Sequence, residues 1–217
     1  MGTDNLHHKR KAKAKNELSR KKSLRSSYDK VLIVCEGEKT EPIYFNGLIK
    51  HYQLNSANVA IVGACGSSPK SVFEKAEELA TQEERKGDKY DSIYCVFDKD
   101  SHSSYNETIS KINKKQGFHA ITSVPCFEYW ILLHFIYTTK PFNGTHTKSI
   151  SQEVYDELKK YFPDYEKSRK DLFSLLLPHI EFAKNNAQRA NGVAKSMNTD
   201  NPTTSVDALV TYLQNIK

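Results

Sequence analysis

From residue 30 onward, short apolar runs alternate with segments of helical periodicity. KVLIVCE (30–36) is continuous, apolar and rich in β-branched residues, as in a strand buried on both faces. Thr40, Glu41 and Pro42 predict a helix start, with a hydroxyl, an acid and a proline in the first turn. Tyr44, Phe45, Leu48 and Ile49 then recur at helical spacing. ANVAIVGA (57–64) predicts a second strand, and Ser68-Pro69 opens a helix that carries Val72, Phe73, Ala76, Leu79 and Ala80 on one face. DSIYCVFD (91–98) predicts the third strand, followed by a polar helix from Ser103 to Gln116 that Gly117 ends. FHAITSV (118–124) predicts the fourth, and Pro125 starts an almost wholly apolar helix, CFEYWILLHFIY.

Strand ends near residues 36, 63, 98 and 124, about 30 residues apart, suit βαβ units. The expected fold class is α/β, a four-stranded parallel sheet flanked by helices with a C-terminal helical extension. After a loop at 138–149 the pattern predicts helices at 150–161 and 169–190, the second bent or divided at Pro178. A polar connection (196–205) then leads into a last helix, where Thr204 and Asp207 resemble a capping box. The expected organisation is a basic flexible tail (1–27), an α/β domain (28–137) and a helical extension packed on it (138–217).

Charge alters this picture in one place. The chain has a formal net charge of +6, yet residues 1–30 hold ten Lys or Arg against three Asp or Glu. The remainder is nearly neutral, so the basic character belongs to the tail. Such a tail suits either non-specific contact with phosphates or a solvated terminus. No run reaches the ~20 apolar residues of a membrane span, and the polar N-terminus lacks a signal-peptide core. The expectation is a cytoplasmic protein without a membrane partner. Cys35, Cys65, Cys95 and Cys126 lack the CxxC spacing of a zinc site and are expected to be reduced, buried thiols.

The chemistry-bearing residues stand at strand ends, where parallel sheets bind ligands. EGEKTE places Glu36, Glu38 and Glu41 after the first strand, with Gly37 allowing a sharp turn. FDKD places Asp98 and Asp100 after the third, and an i, i+2 pair in extended chain points both carboxylates the same way. Converging carboxylates repel unless a cation or proton offsets them, and Mg²⁺ or Mn²⁺ prefers such oxygen ligands. One acid after a strand reads as a helix cap or turn former; two clusters in this arrangement favour a metal site. Glu128 opens a helix with few other polar residues, so a metal or a base must meet it. Glu38 either adds a ligand or faces solvent. Lys39 and Lys70, near helix N-termini, either hold phosphate or are ordinary surface lysines. His102 is either a general acid or base or a turn residue. His134 and Trp130 read as core.

An EG after the first strand and a DxD after the third resemble the Toprim domain, a Rossmann-like fold. The segments VLIVCEGEKTEPIYF, GSSPKSV, YDSIYCVFDKDSH, SVPCFEYWILLHF and NPTTSVDALV more closely resemble the RloB-like family of restriction and anti-phage loci. The resemblance covers about residue 30 to the C-terminus. It implies that Glu36 is a metal ligand or general acid or base, that Asp98 and Asp100 are the metal-binding pair, and that the reaction needs Mg²⁺. It also implies a defence role beside restriction systems or a partner ATPase.

Three functions follow as expectations. The first is a metal-dependent endonuclease cutting DNA or RNA, tRNA included, with Glu36, Asp98, Asp100 and His102 catalytic and Glu128 a further ligand. The second is a non-catalytic Toprim module binding nucleic acid or a partner ATPase. The third, nucleotide hydrolysis, is disfavoured because GACGSSPK does not fit a Walker A loop.

Overall fold

The computed structural model describes residues 29–55, 58–66, 68–99 and 102–216. The basic tail therefore lies outside the described residues. The elements are β1 (Val31–Cys35), α1 (Thr40–His51), β2 (Val59–Val62), α2 (Pro69–Arg85), β3 (Ser92–Asp98), α3 (Tyr105–Lys114), β4 (Phe118–Val124) and α4 (Glu128–Leu132), then α5 (Ile150–Lys159), α6 (Leu172–Leu176), α7 (Ile180–Ser196), β5 (Thr203–Thr204) and α8 (Val206–Asn215).

The sheet has five strands in the order β2-β1-β3-β4-β5. Four are parallel, as the alternating pattern predicts, but β5 runs antiparallel to β4 through Ser123–Thr204 and Val124–Thr203. The expected four-stranded, wholly parallel sheet is corrected accordingly. A two-residue strand carries no periodicity of its own. Its pairing also redirects Thr204: the hydroxyl lies 3.0 Å from Ser123 Oγ and accepts from the Val206 N–H, while Ser205 caps α8 without a side-chain bond. The expected Thr204–Asp207 capping box is thus not formed.

Helices cover both faces of the sheet. Leu32, Val34, Ile93, Cys95 and Phe97 pack with Val72 and Phe73 of α2 and Ile112 of α3. Val31, Ile33, Cys35 and Val96 face α1, α4 and the C-terminal helices in one larger core that includes Tyr44, Trp130, Leu158, Phe173 and Val210. The apolar segment after Pro125 forms only a short helix. Beyond it the bonds tighten, with the N–H of His134 on the Ile131 carbonyl and that of Phe135 on Leu132. Pro178 divides the next helical stretch as expected, standing in a 3₁₀ turn between α6 and α7. All four cysteines are free thiols, and Cys35, Cys95 and Cys126 are buried as expected, whereas Cys65, in the loop after β2, is only partly buried. Among the described residues no helix is long and apolar enough to cross a membrane.

The strand order fixes where a ligand can go. The chain leaves β1 to one side to form β2, then crosses to the other side of β1 to form β3. Loops after β1 and β3 therefore diverge and leave a crevice at the carboxyl ends of these two strands.

Candidate metal centre

The crevice between β1 and β3 is an open cleft of about 290 Å³ lined by Glu36, Glu38, Glu41, Asp98 and Glu128, with Lys39 and Lys167 the two lysines. Glu36 follows β1 directly, and its N–H donates to the Val96 carbonyl at 2.9 Å, one rung beyond the strand. Its carboxylate turns across to β3, where Oε2 accepts the Asp98 N–H at 3.3 Å. Asp98 is the last residue of β3, in register with Ser123 of β4. The sheet thus places the two expected ligands side by side. Asp100 lies outside the described residues.

Glu41 is the residue that the sequence under-read. It sits in the first turn of α1, 6% exposed. Its carboxyl lies against Gly37 so closely that a Cβ there would stand 2.3 Å from Oε2. Gly37 does not adopt a positive φ. The chain bends over residues 36–39 as expected, but what requires glycine there is the close approach of Glu41 rather than a positive φ. Burial pushes the Glu41 carboxyl up to about 7, against its own helix amide; the charges of Glu128 and Glu36 add to the rise, and Lys167 opposes it.

Glu128 begins α4 with its side chain only 4% exposed. The demand for a partner is met by a base: Lys167 Nζ lies 3.1 Å from Oε1, and the buried Tyr165 hydroxyl donates to the same oxygen at 3.2 Å. Both partners come from the loop between α5 and α6. Thr40 Oγ1 ties this loop to the start of α1 by donating to the Lys167 carbonyl at 3.3 Å. Burial opposes the charge on Lys167, but Glu128 outweighs it and holds the ammonium above its ordinary range. The thiols of Cys35 and Cys126 are pushed up mainly by burial, and are not thiolates poised to ligate.

The other expected residues separate. Lys39 and Glu38 are exposed and line the cleft. His102 is half-buried and is not among the cleft-lining residues; its carbonyl accepts the Tyr105 N–H at the start of α3. Lys70 is 62% exposed, 3.7 Å from Glu74, and lines a groove between α2 and α3 instead. His134 and Trp130 are core, as expected. His134 Nδ1 lies 3.0 Å from the Trp130 carbonyl, while Nε2 has no partner among the described residues, and burial lowers its pKa to about 4.

The donor types fit a hard divalent cation, since every acid in the cleft offers carboxylate oxygen. Among the described residues, no three His, Cys, Asp or Glu side chains stand close enough together to hold an ion. Two of the carboxylates are engaged internally, Glu36 by the Asp98 amide and Glu128 by Lys167 and Tyr165.

Comparison with known proteins adds a family. A family model described as RloB-like protein matches residues 31–213. No curated protein matches. Among solved structures, an ABC sugar transporter subunit from Rhodobacter sphaeroides 2.4.1 is similar at 15% identity and a TM-score of 0.33, over 81% of this chain and 66% of that one. A likeness at that level carries no argument about function.

Proposed function

This chain belongs to the RloB-like family, and from that premise we propose that it is a Toprim-type endonuclease, dependent on Mg²⁺ or Mn²⁺, that hydrolyses nucleic-acid phosphodiesters in cytoplasmic anti-phage defence. The observation that carries the reading is the convergence of Glu36, Glu41, Asp98 and Glu128 at the crevice between β1 and β3. Residues distant in sequence meet at the one place where this sheet topology binds ligands.

The ligand set expected from the sequence is Glu36, Asp98, Asp100 and Glu128; the described members line one cleft without forming a ready three-ligand site, so loading an ion would require their side chains to close on it. A bound divalent cation supplies charge neutralisation and activation of water for phosphodiester hydrolysis. The chain's own residues do the rest. The Asp98 amide orients Glu36. Tyr165 orients Glu128. Lys39, exposed at the rim beside the start of α1, offers a positive charge to an incoming phosphate. The sequence charge of residues 1–30 supplies non-specific attraction to nucleic acid. DNA, RNA and tRNA all fall within this substrate class, and an ATPase encoded nearby is the expected protein partner.

The competing reading is a non-catalytic module that binds nucleic acid or the ATPase. It draws on the pairing of Glu128 with Lys167, which a purely structural ion pair would also produce. One experiment separates the two: incubation of a mixed DNA and tRNA pool with the protein, its genomic neighbour and Mg²⁺ or Mn²⁺. The nuclease reading expects cleavage that chelation abolishes and that Asp98→Ala reduces on the order of a thousandfold. Intact nucleic acid in the wild-type reaction, with the neighbour present, overturns it.

A further inference from the structure

We propose that the Lys167 ammonium is the resident counter-cation of the carboxylate cleft and gives up its place on Glu128 when a divalent cation loads. The inference rests on the metal-centre reading above and deepens it: Glu128 is a ligand that the chain keeps covered by its own lysine.

The geometry is specific to this pair. Glu128 is almost fully buried, and its Oε1 takes both the Lys167 ammonium at 3.1 Å and the Tyr165 hydroxyl at 3.2 Å. A carboxylate oxygen engaged twice is not open to a cation. The two partners differ in how easily they can leave. Tyr165 is wholly buried and fixed in the core. The Lys167 side chain is 61% exposed and reaches in from solvent. Its backbone is pinned separately, through the carbonyl bond from Thr40. Rotation about the lysine's own side-chain bonds therefore removes one of the two contacts on Oε1 without moving the loop, while the Tyr165 hydroxyl keeps Glu128 in orientation.

The electrostatics favour the exchange. Five carboxyl groups line the cleft against two lysines. Replacing one positive charge by two at the centre of that set lowers its mutual repulsion. The leaving ammonium returns to water, where its hydration is recovered. Tyr165 is then a positioning residue, and Lys167 sets how tightly the centre binds its ion.

The test is a Mn²⁺ binding isotherm on the full chain, by calorimetry and by electron paramagnetic resonance. It compares wild type, Lys167→Ala, Glu128→Gln, the double variant and Asp98→Asn, with folding followed by circular dichroism. Lys167→Ala is expected to bind Mn²⁺ about 5- to 20-fold more tightly than wild type. In the Glu128→Gln background the lysine substitution is expected to change nothing, because the contact it removes is already neutral. Lys167→Met keeps the aliphatic stem, deletes the charge and gives the same readout should the alanine variant be unstable. Mn²⁺ binding that Asp98→Asn abolishes but that Lys167→Ala leaves equal or weaker overturns this proposal alone. Absence of binding in both wild type and Lys167→Ala overturns the metal centre with it.

Discussion

The two ends of β1 carry the same kinds of residue in opposite electrostatic states. Before the strand, Lys30 Nζ meets Glu83 at 2.8 Å and Asp88 at 2.7 Å, while its N–H donates to Asp91 at 2.8 Å. Lys86 adds a second ion pair to Glu83 at 2.8 Å. Hydrogen bonds from Lys30 and Lys86 draw the Glu83 carboxyl down to about 2. Burial opposes the charge on Lys30, but bonds to Asp88 and Glu83 win and raise it. After the strand the balance inverts. Carboxylates outnumber lysines in the cleft, Glu41 is buried, and its carboxyl rises to about 7. Acidic clusters are therefore told apart by burial and by the ratio of acids to bases. The paired end is held together by its charges; the cleft stores repulsion that a cation would relieve.

The largest effect that sharpens this contrast comes from Glu41→Gln. A carboxyl whose folded pKa is raised favours the folded state while it keeps its proton. That contribution is whole below the ordinary value of 4.5 and is lost as pH rises to about 7. Wild-type stability is expected to fall on the order of 3 kcal/mol across that window. Glu41→Gln, neutral throughout, flattens the fall and is the more stable protein at pH 8. Urea unfolding at intervals from pH 4 to pH 8 measures both curves, and parallel curves would erase the contrast between the two ends of β1.

Gly37→Ala ranks second. Its Cβ would meet Glu41 Oε2 at 2.3 Å and Cδ at 2.9 Å, so a buried carboxyl must move. The expected cost is about 1–3 kcal/mol. Glu41→Ala in the same chain removes the obstacle, so the double variant is expected to be more stable than the two single costs added together. A purely additive result in thermal unfolding would mean that Gly37 is needed for something other than this approach.

The parts of this site that could be read from sequence are those encoded by local pattern. Apolar, β-branched runs marked β1 and β3, and acids at the carboxyl ends of these two marked Glu36 and Asp98. Glu128 was legible because a carboxyl in an apolar segment demands a partner. The partner itself was not. Lys167 and Tyr165 reach Glu128 from a loop 37 or more residues away, and nothing local separates this lysine from the others. Glu41 was visible as an acid in a first helical turn, where acids are ordinary. Its burial depends on a close approach to Gly37 that only the folded chain defines. β5 escaped for the same reason, since two residues have no period and take their conformation from β4.

The smallest effect belongs to the paired end. Lys30→Ala removes contacts to carboxylates that are partly or largely exposed, Asp88 by 59%. Such pairs contribute little individually, and a Tm lowered by about 2–4 °C is the expected outcome. Its pH dependence is the informative part. Glu83 is held below its ordinary 4.5, so its contribution is present above that value and is lost as pH falls towards 2. Lys30 is held above 10.5, so its contribution is whole below that value and is lost as pH rises beyond it. Between about pH 5 and pH 10 the Lys30→Ala deficit should therefore be constant. That interval contains the upper part of the window in which Glu41 destabilises the wild type. Thermal melts across it, with and without 0.5 M NaCl (on the order of a 4 Å screening length), give a flat offset that salt diminishes. An offset that changed between pH 5 and pH 7 would show that the two ends of β1 are coupled through the sheet. The charge balance of each could then no longer be treated as its own.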